Sequence, residues 1–160
     1  MNQATQANTA SNSTAVKYFD LHASGIGYLS RIRTVTPKKG DPFLACTVSA
    51  IHGSSDDVEY TKFDCRVSGK LAQDAVRLLT EDVKAEKKVL IAFKIGDFYP
   101  ESFVFENGER KGETGIVIKG RLLQITFAKV DGDIVDLPQT DKPAETADDQ
   151  SEKVAEKQAA

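Results

Sequence analysis

From Glu59 to Val67 the chain alternates, with Thr61, Phe63, Cys65 and Val67 on one parity and Tyr60, Lys62, Asp64 and Arg66 on the other. A period of two predicts a strand with one face in the core and the other in water. Ser68 and Gly69 interrupt it, after which Leu71, Ala75, Leu78, Leu79 and Val83 recur at helical spacing. An amphipathic helix is expected there, capped by Ser68 and ending near Glu86. Val89, Ile91, Phe93 and Ile95 then restore the period of two, with Lys94 on the outward parity. A single helix between the third and fourth strands of an otherwise all-β domain is how an OB-fold closes, so a five-stranded OB-fold barrel with one helix is expected.

Upstream, the stretches from Gly25 to Val35 and from Phe43 to Ile51 read as a hairpin joined by the turn from Pro37 to Pro42. Gly25 and Gly27 predict a bulge or a close backbone approach. Downstream, Gly96 to Phe105 extends as an arm rich in aromatics, Asn107-Gly108 signals a turn, and Thr114 to Ala128 forms the last strand, which Gly120 lets bend. Residues 1–16 are polar and of low complexity, and residues 133–160 are rich in Pro, Ala, Asp and Glu. Neither segment carries enough apolar surface to offset its ordering entropy, so both are expected to be disordered tails around one OB-fold domain at residues 17–132.

Composition changes this picture in two places. The 160 residues, 40% of them apolar, suit one modest core. The net charge of −3 argues against a nucleic-acid binder until it is divided: Lys17 to Gly132 carry 18 basic and 16 acidic side chains, whereas Asp133 to Ala160 carry 3 and 8. The acidity belongs to the tail, and the domain is slightly basic. No apolar run approaches about 18 residues, and the N-terminus has neither a basic n-region nor an apolar h-region. The expectation is a bacterial cytoplasmic protein with no membrane contact.

Cys46 and Cys65 fall on the apolar parity of their strands without a CxxC motif, and read as buried small side chains. His22 and His52 are isolated. There is no Ser-His-Asp order, no glycine-rich phosphate loop before a helix and no HExxH spacing, so no enzyme, cofactor or metal is expected.

What remains is surface chemistry. Tyr60, Lys62 and Arg66 point outward from the third strand, Lys94 from the fourth, Arg31 and Arg33 from the first, and Lys119 and Arg121 from the last. The first turn adds Lys38 and Lys39, and the arm adds Phe98, Tyr99 and Phe103. Rings interleaved with cations on a barrel face suit single-stranded nucleic acid, with bases stacking and cations following the phosphates. Asp64, Asp97 and Glu101 oppose such a track. Two other readings stand: the cations solvate an outer face, and the rings form a subunit interface or core.

Arg66-Val67-Ser68-Gly69-Lys70-Leu71-Ala72-Gln73 resembles bacterial single-stranded DNA-binding proteins, whose third strand runs into a V-x-G-K-L-A helix start; Val89, Ile91 and the long hairpin continue the likeness. More closely, Tyr18 to His22, Gly25 to Leu29, Arg31 to Arg33, Pro37 to Cys46 and Asp56 to Tyr60 resemble a family of small proteins encoded on integrative conjugative elements. That family is described as element replication proteins with a domain of unknown function. The likeness covers about residues 17–132. Against the DNA-binding proteins, Ser68 stands where a stacking aromatic precedes the glycine, and the chain has no tryptophan. Tyr99 falls near their fourth-strand tryptophan and Lys62 near the third-strand one. The tail ends Lys157-Gln158-Ala159-Ala160 instead of in an Asp-rich Pro-Phe tip.

The resemblance implies a non-catalytic protein that holds single-stranded DNA during replication or transfer of a mobile element. Expected partners are single-stranded DNA, further copies of the chain, and replication or conjugation proteins. Alternatives are an OB-fold protein-interaction module without direct DNA binding, and a single-stranded RNA binder.

Overall fold

The computed structural model describes residues 19–139. Alternation becomes strand wherever it was read: β1 His22–Val35, β2 Phe43–Ser54, β3 Asp57–Val67, β4 Val89–Val104 and β5 Thr114–Val130. Two short helices, α1 Lys70–Leu78 and α2 Thr80–Lys84, lie between β3 and β4, and β6 Asp133–Ile134 follows β5. The protein is thus mostly β. The sheet order is β3-β2-β1-β4-β5-β6, and β3 also pairs with β5, so the first five strands form a ring. The pairings are antiparallel except that Phe63–Val67 runs parallel to Ile118–Leu122. No helix among the described residues is long and apolar enough to cross a membrane.

The inward parity fills the ring. Leu29, Val48, Phe63, Cys65, Val67, Ile91, Phe93, Ile95, Leu122 and Ile125 are buried together, joined from one end by Ala72, Ala75, Val76 and Leu79 of the helical segment. Each large aliphatic side chain so buried contributes about 1.5–3 kcal/mol of transfer free energy. Cys46 and Cys65 face each other across β2 and β3 and are 0% and 1% exposed. Burial, the larger cause, pushes the Cys65 thiol up to about 12, with Asp64 adding to the effect. The Cys46 thiol moves the same way, again mainly through burial and then through Cys65.

Several expectations need correction. The single helix is two, separated at Leu79, which with φ −85° and ψ −2° caps the end of α1 and the start of α2. The Thr80 hydroxyl also donates to the Val76 carbonyl, a bond that competes with the helical ladder. The bend lets Leu79 bury completely. Ser68 is not the N-cap; Gly69 is, with φ 86° and no side-chain cap bond. The Ser68 N–H donates instead to the Leu122 carbonyl, and its hydroxyl accepts from Arg121 Nε.

The bulge in β1 lies at Arg31 and Ile32, where two residues oppose the single Cys46, and not at the glycines. Gly27 is the close approach: a Cβ there would stand 2.4 Å from the Ser49 carbonyl oxygen. Order continues past Gly132, since β6 pairs with β5 and both Val135 and Leu137 pack on the core. The expectations for residues 1–16 and for the tail beyond residue 139 lie outside the described residues.

Candidate nucleic-acid interface

Register decides which outward side chains meet. One row crosses all five ring strands in the order Arg33, Ala45, Arg66, Arg121, Gly96. The next row on the same face runs Thr47, Asp64, Lys119, Tyr99. Cations from β1, β3 and β5, distant in sequence, therefore stand side by side. They line a groove of about 460 Å³ whose remaining walls include Val35, Phe43, Ala45 and Asp97. Ala45 pairs with Arg33 on one side and Arg66 on the other, and is 3% exposed. It forms the floor between them.

The charged groups of the groove nearly balance one another. Arg33 Nη2 lies 2.6 Å from Asp64 Oδ1, Arg121 Nη1 2.9 Å from Asp97 Oδ2, and Lys119 Nζ 2.7 Å from Glu101 Oε1. The hydrogen bond to Glu101 raises the pKa of Lys119, so it is charged at neutral pH. Arg66 differs: its guanidinium sits 4.5 Å from the centre of the Phe43 ring, and no carboxylate among the described residues lies within ion-pair distance of it. That stacking holds the cation in place without neutralising it. Tyr99, 52% exposed, adds a ring at the β4 wall.

Of the candidate residues, Arg33, Arg66, Tyr99, Lys119 and Arg121 meet in the groove. Tyr60 and Lys62 lie further along the outward parity of β3, Lys62 beside Ser49 and Tyr60 with its ring 6.3 Å from that of Tyr28. Arg31 is exposed on the bulge, and Lys38 and Lys39 are exposed on the turn between β1 and β2; none of the three lines the groove. Lys94 lies beside Ser24 and Gln124, on the β1–β4–β5 flank. Phe98 is partly buried and packs against the core, edge-to-face on Phe63 at 6.0 Å and 85°. Phe103 covers Gly115 and packs against Phe105 at 4.8 Å on the arm.

The sequence reading missed Phe43 and the pairing of the carboxylates. Phe43 shares the outward parity of Ala45, diagonal to Arg66, and a large ring on that parity is the signal that would have found it. Among the described residues no group of three or more His, Cys, Asp or Glu is placed to hold a metal ion.

The family described as "Protein of unknown function (DUF3577)" matches residues 12–143. The chain belongs to that family. The match spans every strand of the ring and all the residues that line the groove. No curated protein and no solved structure matches the chain.

Proposed function

We propose that the ring is an OB-fold barrel and that the protein is a non-catalytic single-stranded DNA-binding protein acting in the replication or transfer of a mobile element. The observation that carries the binding reading is the row of Arg33, Arg66 and Arg121 beside the Phe43 and Tyr99 rings in one groove. Single strands need rings to stack on and cations along the phosphates, and this face offers both. The parallel β3–β5 closure and the helices between β3 and β4 support the barrel reading. The mobile-element role rests on the sequence resemblance over about residues 17–132.

Replacing Lys62, Arg66 and Arg121 together by Glu tests the site. In fluorescence anisotropy the variant is expected to lose affinity for labelled oligo-dT, while keeping the wild-type circular dichroism spectrum. Undiminished affinity removes the groove from consideration.

A protein-interaction module is the second reading, favoured by the arm. Val104 and Ile116 lie there 57% and 75% exposed, apolar groups that water does not favour. That reading predicts self-association or partner binding that Val104→Ser with Ile116→Ser abolishes, and no salt-sensitive DNA affinity.

A further inference from the structure

We propose that the groove holds one unstacked guanine of the bound strand, so that the protein prefers guanine-bearing single strands. The inference rests on the single-stranded DNA reading and specifies what its central pocket recognises. A volume of about 460 Å³ lies within the range of about 300–1,000 Å³ typical of small-ligand pockets. The depression is a recess as well as a track.

The polar groups in that recess are poorly suited to phosphate alone. Asp64 and Asp97 both line it and would repel an oxyanion, and both already hold an arginine, Arg33 and Arg121. Each couple offers N–H donors beside a two-oxygen acceptor. That arrangement matches the edge of a base better than a backbone.

The four bases differ in what they return. Guanine presents N7 and O6 as neighbouring acceptors, followed by N1–H and N2–H₂ as neighbouring donors. A guanidinium and a carboxylate satisfy these two pairs together. Thymine sets its single N3–H between two carbonyl oxygens, which a carboxylate must approach against repulsion. Adenine and cytosine each offer one amino group next to ring-nitrogen acceptors, which engages a carboxylate through one bond. Guanine alone uses both members of a couple bidentately. The Tyr99 ring and the Arg66 guanidinium, fixed on Phe43, supply faces on which the extruded base stacks.

The test is competition against labelled oligo-dT, read by fluorescence anisotropy. The competitors are unlabelled oligo-dT, oligo-dA, oligo-dC, and oligo-dT in which isolated thymines are replaced by guanine, which avoids quadruplexes. The guanine-bearing strand is expected to compete about tenfold better than oligo-dT, the scale of one good bidentate contact. Asp64→Asn with Asp97→Asn is expected to erase that preference while oligo-dT binding persists, which also shows that the variant is folded. Equal competition by all four strands, or a preference that survives both substitutions, overturns the guanine pocket and leaves single-strand binding standing. Failure of the wild type to bind oligo-dT or any competitor overturns the binding reading, and the guanine pocket with it.

Discussion

Asp64, Asp97 and Glu101 already neutralise three of the four groove cations, so the proposed single-stranded DNA binding should have a salt dependence open to manipulation without adding a single positive charge. For a single strand, each phosphate neutralised contributes about −0.7 to the slope of log K against log salt. A cation that stays with its carboxylate releases no counterions when DNA arrives. Asp64→Asn, Asp97→Asn and Glu101→Gln together free Arg33, Lys119 and Arg121 to take phosphates, which steepens the slope by about 2 and tightens binding at low salt. The fold should survive, because the three carboxylates are 28%, 55% and 43% exposed and such pairs are worth about 0–1 kcal/mol each. The assay is anisotropy of labelled oligo-dT at several salt concentrations, wild type against triple variant, with thermal unfolding as the check on folding. An unchanged slope in a folded variant refutes the view that these carboxylates restrain the cations.

Gly27→Ala drives a methyl into the Ser49 carbonyl and is expected to destabilise by about 1–3 kcal/mol, seen as a lowered thermal midpoint; an unshifted midpoint contradicts the close approach of β1 and β2. Phe98→Ala should lower the thermal midpoint, by less than the ~3–5 kcal/mol of a fully buried ring because Phe98 is only partly buried, whereas Tyr99→Ala should leave the midpoint nearly unchanged and weaken oligo-dT binding by about 1–3 kcal/mol; the reverse pattern would exchange their roles. The thiols set an alkaline limit. Cys65 is held protonated up to about 12 and Cys46 is shifted the same way, so above the ordinary thiol range of about 8.5 the unfolded chain ionises while the folded one does not. The unfolded state then binds fewer protons, so stability falls as pH rises, by at most about 1.4 kcal/mol per pH unit per thiol. Denaturant midpoints at about pH 8 and about pH 10 should diverge in the wild type and much less in Cys46→Ala with Cys65→Ala; equal divergence refutes the assignment.

Most of the ring was legible because burial imposes a period of two, and Phe63, Cys65 and Val67 or Ile91, Phe93 and Ile95 obey it without interruption. The outward parity was equally visible, which is why Arg33, Arg66, Lys119 and Arg121 were singled out. Their assembly was not, because the β3–β5 register sets Arg66 against Arg121 across an interval that no local pattern spans. The same blindness hid the ion pairs: Asp64 reads as the opponent of its neighbours Lys62 and Arg66, yet it binds Arg33 from another strand. Of the readings open for the Phe98 ring, packing against the core is the one that holds, and the side chain turns inward where the register between β4 and β5 shifts between Gly96 and Tyr99. A parity argument assumes that no such shift intervenes. Leu79 satisfied the helical period while breaking the helix, since periodicity reports which face is buried and not whether the backbone bends.

The parallel join of Phe63–Val67 to Ile118–Leu122 also bears on the order in which the molecule is made. It is short, and it unites segments separated by the helices and the whole of β4, so it bears a larger loop-closure entropy than the antiparallel hairpins. The β1–β2, β2–β3 and β4–β5 hairpins close short loops and can form while Arg66 and Arg121 are still apart. The groove is complete only when the β3–β5 pairing is closed, and opening that pairing takes it apart. A ligand bound across it selects the closed form by mass action, and should slow amide exchange along Cys65, Val67 and Gly120 more than in the distant β1–β4 pairing.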